Sequence, residues 1–310
     1  MDILLAQPRG FCAGVVRAIE IVERALELHG APVYVFHEIV HNGHVVADLR
    51  ARGAVFVDRI ADVPRGAVTV FSAHGVSRAV VAQAGVHGLE VIDATCPLVA
   101  KVHAQAQRFA RLGHEIVVIG HAGHEEVEGT IGSVDVPVHL ISGVDDVARL
   151  VIPPGKPIAY VTQTTLSLDD TREVIAALRL RFPAVVGPEV DDICYATQNR
   201  QVAVRLLARQ VDVLLVVGAR NSSNSARLRE VGAQQGVPAH LVQDAGGIDP
   251  AWFTGAARVG VSAGASTPEV LVQQVCDQLR TLGAREVRAL DGVRETVVFR
   301  LPVALLPRAA

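Results

Sequence analysis

Three cysteines of the 310-residue chain occupy equivalent places in its sequence. They lie in the motifs GFCAGV, DATCPLV and DDICYAT, at Cys12, Cys96 and Cys194. Each is followed by an amphipathic helical pattern and then by a short apolar strand that ends in a polar turn. The spacing from cysteine to turn is nearly constant: 29 residues from Cys12 to His41, 28 from Cys96 to His124, and 28 from Cys194 to Ser222. This threefold internal repeat would bring three thiols to one point, which predicts a metal site with three protein ligands and one open position.

The way the thiols are distributed indicates the kind of metal. Structural zinc sites usually draw paired ligands from C-x₂₋₄-C knuckles, and the sequence contains none. Single thiols from three separate segments fit an iron–sulfur cluster better. A four-iron cluster with three thiolates keeps one iron open, and that iron can act as a Lewis acid toward a substrate oxygen. The fourth cysteine, Cys276, lies in a helical pattern and is expected to be a small buried apolar residue.

Six polar turns, two in each repeat, form a second group of candidate residues. They contain His41, His74, His124, Glu126, Thr164, Thr165, Ser222, Ser223, Asn224 and Ser266. Because all six turns follow predicted parallel strands, they should converge at one end of the sheets. Imidazoles, hydroxyls, amides and helix N-termini together suit a phosphate or diphosphate, which would be held without magnesium because no DDxxD-type motif is present. Alternatively, the NSSNS segment could be only the N-cap of its helix.

The turn HAGHEEVEG contains the candidate proton donor. Burial and nearby negative charge would raise the pKa of a carboxyl group there, so that it could deliver a proton at neutral pH. Glu125 and Glu126 are adjacent, and adjacent side chains point in different directions on a helix or a strand. Only one of them can therefore face the cavity, and Glu128 lies close by as well.

Hydrophobic patterning predicts an α/β fold made of several small units. Segments such as VYVF, VTVF and IVVIG are apolar from end to end, which is typical of parallel strands covered on both faces. Their alternation with helices predicts right-handed crossovers. We expect three units, 1–96, 97–193 and 194–282, followed by a C-terminal strand and tail, 283–310, in which RETVVFRLPVALLP is extended.

Charge and composition exclude several classes of function. The net charge of −3, without a run of like charges, gives no footprint for nucleic acid or an anionic membrane. The N-terminal segment lacks the basic region of a signal peptide, and its apolar run is too short to span a membrane. Four cysteines used in this way favour a reducing cytoplasm over a disulfide framework. We expect a cytoplasmic monomer.

The motifs together resemble those of a known enzyme family. GFCAGV, EIVHN, SAHGVS, DATCPLV, GHxEVEGT, VTQTTLS, DDICYATQNRQ, NSSNS and AGAS, which extend from Met1 to about Leu282, look like those of the 4-hydroxy-3-methylbut-2-enyl diphosphate reductases, the last enzymes of the non-mevalonate isoprenoid pathway. The resemblance implies three α/β domains in a pseudo-threefold trefoil around a central [4Fe–4S] cluster, held by Cys12, Cys96 and Cys194.

The same resemblance assigns roles to the polar residues. It implies diphosphate contacts by His41, His74, His124, Ser222, Ser223, Asn224 and Ser266. Glu126 matches the proton-relay glutamate, which favours it over Glu125, and Thr164 matches a threonine near the substrate hydroxyl; with His124 they form the implied catalytic group. The family has Pro where Glu125 stands, and Glu125 is expected to be dispensable.

These observations predict a reductive dehydroxylation. Two electrons from a ferredoxin- or flavodoxin-like donor would pass through the cluster, and protonation would release the allylic hydroxyl as water, which gives isopentenyl or dimethylallyl diphosphate. Two other classes stay open at this point. One is a zinc or iron hydrolase built on His121, His124 and Glu126, and the other is a non-catalytic iron–sulfur sensor.

Overall fold

The computed structural model describes residues 1–188 and 192–306. Asp191, the first residue of the third cysteine motif, lies outside the described residues, and so do the last four residues of the predicted tail, 307–310. Within the described ranges, strands and helices alternate along almost the whole chain, as the hydrophobic patterning predicts.

The described residues form twelve strands and ten α-helices. The strands are β1 (Asp2–Leu5), β2 (Val33–Phe36), β3 (Ala54–Val57), β4 (Val68–Phe71), β5 (Glu90–Asp93), β6 (Glu115–Ile119), β7 (Val138–Ile141), β8 (Ile158–Thr162), β9 (Val213–Val217), β10 (Ala239–Val242), β11 (Arg258–Ala263) and β12 (Val287–Ala289). The helices are α1 (Ala13–His29), α2 (Gly43–Ala51), α3 (Arg78–Val86), α4 (Pro97–Arg111), α5 (Glu125–Ile131), α6 (Val144–Arg149), α7 (Leu168–Arg181), α8 (Tyr195–Ala208), α9 (Ser223–Gln234) and α10 (Glu269–Thr281).

The strands form three small sheets. Their orders are β10-β9-β11-β1-β12, β3-β2-β4-β5 and β7-β6-β8. Every pairing in them is parallel. The predicted α/β class with three small parallel sheets is therefore confirmed. One feature of the pairing is not local: β1 lies between β11 and β12, so the first strand of the chain belongs to the sheet built by its last third.

The chain divides into two compact units, and the first contains the five-stranded sheet. This unit comprises Met1–Val15, His41–Val45 and Tyr195–Val298. Alternate residues of β9 enter two separate cores. Val213, Leu215 and Val217 pack with α10, while Leu214 and Val216 pack with α8 and α9. Because helices cover both faces of the sheet, its central strand β9 is apolar from end to end.

The second unit contains the other two sheets. It comprises Val16–Val40, Val46–Cys194 and Phe299–Ala310. Strand β6 again divides its side chains between two cores: Val117 and Ile119 pack with α6 and α7, and Ile116 and Val118 pack with α4 and α5. The sheet of β2–β5 has a smaller core that contains Phe36 and Phe71.

The C-terminal segment differs from the predicted extended strand. The strand in this region is β12, Val287–Ala289, and residues 294–302 form none. After β12 the chain leaves the sheet, and Gly292 packs against the carbonyl of Gln7 so closely that a Cβ would come within 2.0 Å of its oxygen. The apolar side chains of Val297 and Val298 in this segment are exposed, at 41% and 87%.

Two further features concern the fourth cysteine and the lengths of the helices. Cys276 on α10 is 1% exposed and packs in the core of the first unit, where burial raises the pKa of its thiol. Across the described residues, no helix combines the length and the apolar character needed to cross a membrane.

Candidate functional site

Three cysteines lie at the same point of three strand–turn–helix segments. Each is the residue immediately before a helix, since α1, α4 and α8 begin at residues 13, 97 and 195. Each backbone N–H donates to a carbonyl two residues beyond the end of a strand: Cys12 to Ala265 after β11 (3.1 Å), Cys96 to Ala73 after β4 (3.0 Å), and Cys194 to Thr164 after β8 (3.1 Å). The internal repeat therefore gives the three cysteines one backbone geometry.

This geometry suits thiolate chemistry. The three thiol-bearing residues are partly exposed, in contrast to the buried Cys276. A partly exposed sulfur at the start of a helix can serve as a metal ligand.

In the first unit, Ser266 and Asn221 contact His41. The hydroxyl of Ser266 donates to the carbonyl of His41 at 2.9 Å, and the side-chain amide of Asn221 lies 3.4 Å from its Nδ1. The Oδ1 atom of Asn224 accepts the N–H of Ala265 at 2.9 Å. Asn224 and Ser266 are nearly buried, so their polar groups are fixed by the fold.

The NSSNS segment is also a helix cap. Ser222 is the N-cap of α9, and its Oγ accepts the backbone N–H of Ser225. Ser223 and Asn224 begin the helix. The capping interpretation and the site interpretation are therefore compatible, because the cap holds the first turn of α9 in the unit that contains His41.

In the second unit, Thr164 holds the carboxylate of Glu126 at both oxygens. Its N–H donates to Oε1 at 2.6 Å, and its hydroxyl donates to Oε2 at 2.9 Å. Glu126 is only 3% exposed, and burial raises the pKa of its carboxyl group against the opposing effect of these hydrogen bonds and of His74. Because the carbonyl of Thr164 accepts the N–H of Cys194, one residue connects a cysteine turn to a buried acid.

His124 is held in a defined tautomer at the start of α5. It is the N-cap residue, and its Nδ1 accepts the N–H of Glu126 at 3.2 Å. A ring nitrogen that accepts a hydrogen bond is unprotonated, so the proton of the neutral ring is on Nε2. The ring of His74 lies beside it, with centroids 6.0 Å apart and planes at 89°. His124 therefore offers an N–H donor next to a second imidazole.

The adjacent carboxylate, Glu125, points elsewhere. Its Oε2 lies 2.7 Å from Nδ1 of His74, and its Oε1 lies 3.9 Å from Nδ1 of His37. Glu125 and Glu126 thus face different partners, as adjacent residues on a helix must.

The chain matches a known protein family. The family model described as LytB protein matches residues 3–280. The chain belongs to the LytB family. It is 60% identical over 305 residues to the 4-hydroxy-3-methylbut-2-enyl diphosphate reductase of Zymomonas mobilis, with 98% of this chain and 90% of that one covered. It is 60% identical over 307 residues to the enzyme of the same description from Acidithiobacillus ferrooxidans, with 99% and 97% covered.

Solved structures agree with this membership. The E-1-hydroxy-2-methyl-but-2-enyl-4-diphosphate reductase of Plasmodium falciparum superposes with a TM-score of 0.93 at 38% identity, over 98% of this chain and 96% of that one. A structure of (E)-4-hydroxy-3-methyl-but-2-enyl diphosphate reductase gives a TM-score of 0.65 at 31% identity, over 91% and 100%. This LytB chain is an enzyme of the oxidoreductase class.

Sequence reasoning missed two residues of this LytB chain. Gln163 is buried and bridges two turns, since its Oε1 accepts the N–H of His121 at 3.0 Å and its Nε2 donates to Thr165 at 2.9 Å. Arg200 has a fully buried side chain that donates to the carbonyls of Gly10 and Phe11 and pairs with Glu295. A single sequence gives little sign of either, because a Gln in a turn and an Arg in an amphipathic helix are ordinarily exposed.

Proposed function

We propose that this LytB oxidoreductase converts (E)-4-hydroxy-3-methylbut-2-enyl diphosphate to isopentenyl diphosphate and dimethylallyl diphosphate, the terminal step of non-mevalonate isoprenoid precursor synthesis. In this reaction the allylic C–O bond breaks, two electrons and two protons are taken up, and the hydroxyl leaves as water. The observation that carries the proposal is the buried Glu126, held by a threonine whose carbonyl binds the backbone of Cys194.

The three equivalent cysteines are our proposed ligands of a [4Fe–4S] cluster. Their common hydrogen-bond geometry, partial exposure and positions at helix N-termini fit thiolate ligands. When bound, such a cluster supplies electrons singly and an iron with a position open to a substrate oxygen. A ferredoxin- or flavodoxin-like protein is the proposed electron donor, and a reducing cytoplasm is the proposed compartment.

The chain's own residues have two tasks in this proposal. We assign the diphosphate to neutral and cationic donors, since the chain has no DDxxD-type motif that would call for magnesium. These residues are His41, His74, His124, Ser222, Ser223, Asn224 and Ser266. Tight binding of this anion orients the allylic end and contributes to catalysis by positioning.

Glu126 is assigned the proton transfer. Burial raises its pKa, so the carboxyl group retains a proton to a higher pH than an exposed glutamic acid does. It can then protonate the leaving hydroxyl, while Thr164 holds the carboxyl group in place. Thr164 is assigned a place near the substrate hydroxyl, and the Nε2–H of His124 can donate to the same network.

Anaerobic purification followed by iron and sulfide analysis tests the proposal against its rivals. We expect about four irons and four sulfides per chain and turnover only with a reductant. A colourless zinc protein that hydrolyses its substrate without reductant would support the hydrolase instead. A full cluster without turnover would support the sensor.

A further inference from the structure

Glu125 makes a short buried contact with a residue of the proposed diphosphate site. Its Oε2 lies 2.7 Å from Nδ1 of His74, and both atoms are shielded from solvent. The side chains are 23% and 13% exposed. The two atoms do not meet hydrogen-bond geometry, and they form an ion pair when the ring is protonated. An ion pair in such surroundings is stronger than one on an open surface. This contact therefore restrains the orientation of the imidazole.

The contact also determines which nitrogen of His74 can meet a ligand. Nδ1 lies against the carboxylate, so Nε2, on the opposite side of the ring, is the position left for a ligand. With an anion bound, a protonated ring would lie between two negative charges, with Nδ1 beside Glu125 and the Nε2–H at the anion. Carboxylates that orient an imidazole in this way are well known behind metal-bound histidines.

A second imidazole lies near Glu125. His37 follows β2 directly, and its Nδ1 lies 3.9 Å from Oε1 of Glu125 and 3.7 Å from Oδ1 of Asp58. Its φ of 62° lies in the left-handed region, which residues other than glycine rarely adopt. Such backbone strain persists only where surrounding contacts maintain it, and it is commonest near functional sites. The strained turn places an imidazole against the oxygen of Glu125 that faces away from His74.

We propose that Glu125 is a positioning residue for the substrate diphosphate: it holds His74 through Nδ1 so that Nε2–H is presented to the anion. This inference rests on the proposed function, which places His74 at the diphosphate. Glu125 acts only through the ring. Without its effect on His74, the negative charge of Glu125 would only repel the bound anion. Orientation of the ring strengthens binding and charge repulsion weakens it, so the two contributions can be separated.

The test is the affinity of the anaerobically purified holoenzyme for inorganic diphosphate, measured by calorimetry. Glu125→Gln should bind diphosphate roughly tenfold more weakly, which is the scale of one charge-assisted hydrogen bond. Glu128→Gln is the matched control, because Glu128 lies on the same helix and is exposed, and the change removes the same charge. Its affinity should equal that of the wild type.

A double-mutant cycle shows whether Glu125 acts through His74. In a His74→Ala background, Glu125→Gln should cause no further loss, and it should strengthen binding if only repulsion remains. With the full substrate, Glu125→Gln should raise KM and leave kcat nearly unchanged, since it removes binding rather than proton transfer.

Each possible outcome supports or overturns the inference. Equal diphosphate affinities of Glu125→Gln and Glu128→Gln would overturn it. It would also be overturned if Glu125→Gln lowered the affinity equally in the wild-type and His74→Ala backgrounds. A wild-type enzyme that does not bind diphosphate would refute both the inference and the proposed site. If Glu125 and His74 are coupled in diphosphate binding but the enzyme does not reduce the allylic substrate, only the reductase proposal is refuted.

Discussion

At the scale of single residues, the two neighbouring glutamates of α5 have opposite surroundings. Glu126 is buried and bonded twice to Thr164, and Glu125 is partly exposed and paired with His74. The difference arises because successive helical residues point about a quarter-turn apart. This contrast underlies the two roles that we propose, proton transfer for Glu126 and orientation of the His74 ring for Glu125.

The first prediction concerns Glu126. Glu126→Gln keeps the size and polarity of the side chain but removes the acid, so cluster content and diphosphate affinity should stay normal while turnover falls by about 10²-fold or more. Single-turnover kinetics with a chemical reductant measure this loss. Glu128→Gln should retain wild-type turnover, and a Glu126→Gln enzyme as active as that control would remove Glu126 from the mechanism.

The sequence could predict much at this scale, but not the partner of each side chain. The motif around His124 pointed to the adjacent Glu125 and Glu126 as candidate proton donors, and the family resemblance favoured Glu126. The sequence expectation that Glu125 is dispensable did not include its contact with His74, which lies 51 residues away in the chain. Side-chain pairing between distant turns depends on tertiary packing, which local patterns do not contain.

At the scale of elements, the repeated unit is a strand end that supports the start of a helix. The same N–H to carbonyl hydrogen bond occurs at all three cysteines. The spacing of motifs predicted this equivalence, because repeats of similar sequence adopt similar local structure.

The second prediction follows from that equivalence. Cys96→Ser should abolish the broad visible absorption of the cluster and the reductase activity, since serine replaces one of three thiolates. Cys276→Ser should change neither, because Cys276 is buried among apolar side chains in the core that α10 forms with the five-stranded sheet. Iron and sulfide content of both variants checks this. Full cluster content in Cys96→Ser would contradict the three-thiolate proposal.

The third prediction concerns the packing of α5. A Cβ at Gly129 would lie 3.0 Å from the carbonyl oxygen of Gly75, the residue after His74. Gly129→Ala should therefore push α5 away from this turn, destabilise the protein by about 1–3 kcal/mol and lower turnover by about tenfold or more through misplacement of Glu126.

Gly85→Ala is the matched control for this packing. Gly85 is also helical, in α3, and nothing lies within 4 Å of its missing Cβ. Alanine is the better helix former there, so stability should be unchanged or higher by up to about 1 kcal/mol. Thermal unfolding and turnover of the two variants separate steric displacement from a general effect of alanine.

At the scale of the whole molecule, distant parts of the sequence complete the first unit. Strand β1 pairs with β11 and β12, and Arg200 joins the turn before Cys12 to Glu295 near the C-terminus. The apolar pattern predicted β11 but could not assign its neighbours, since pairing between residues 256 positions apart, such as Asp2 and Arg258, leaves no local pattern. The sequence interpretation did not predict β12, and it expected an extended segment at residues 294–307, of which 294–302 form no strand.

The fourth prediction concerns this long-range pair. Glu295→Gln leaves the buried guanidinium of Arg200 without its anion and should lower the free energy of unfolding by about 3 kcal/mol. Because Arg200 also binds the Gly10 and Phe11 carbonyls, cluster loading at Cys12 should fall as well. Exposed Glu286 supplies the control Glu286→Gln, which should leave both denaturant unfolding and iron content unchanged. Equal stability of the two variants would show that the pair contributes nothing.

The most direct test of the account is the identity of the products formed by the anaerobic holoenzyme. The enzyme would be supplied with (E)-4-hydroxy-3-methylbut-2-enyl diphosphate and a chemical reductant, and the products would be identified by mass spectrometry. We expect isopentenyl and dimethylallyl diphosphate, with two electrons consumed per molecule formed. A fully loaded, reduced enzyme that leaves the substrate intact, or that releases inorganic diphosphate from it, would contradict the proposed reductase activity.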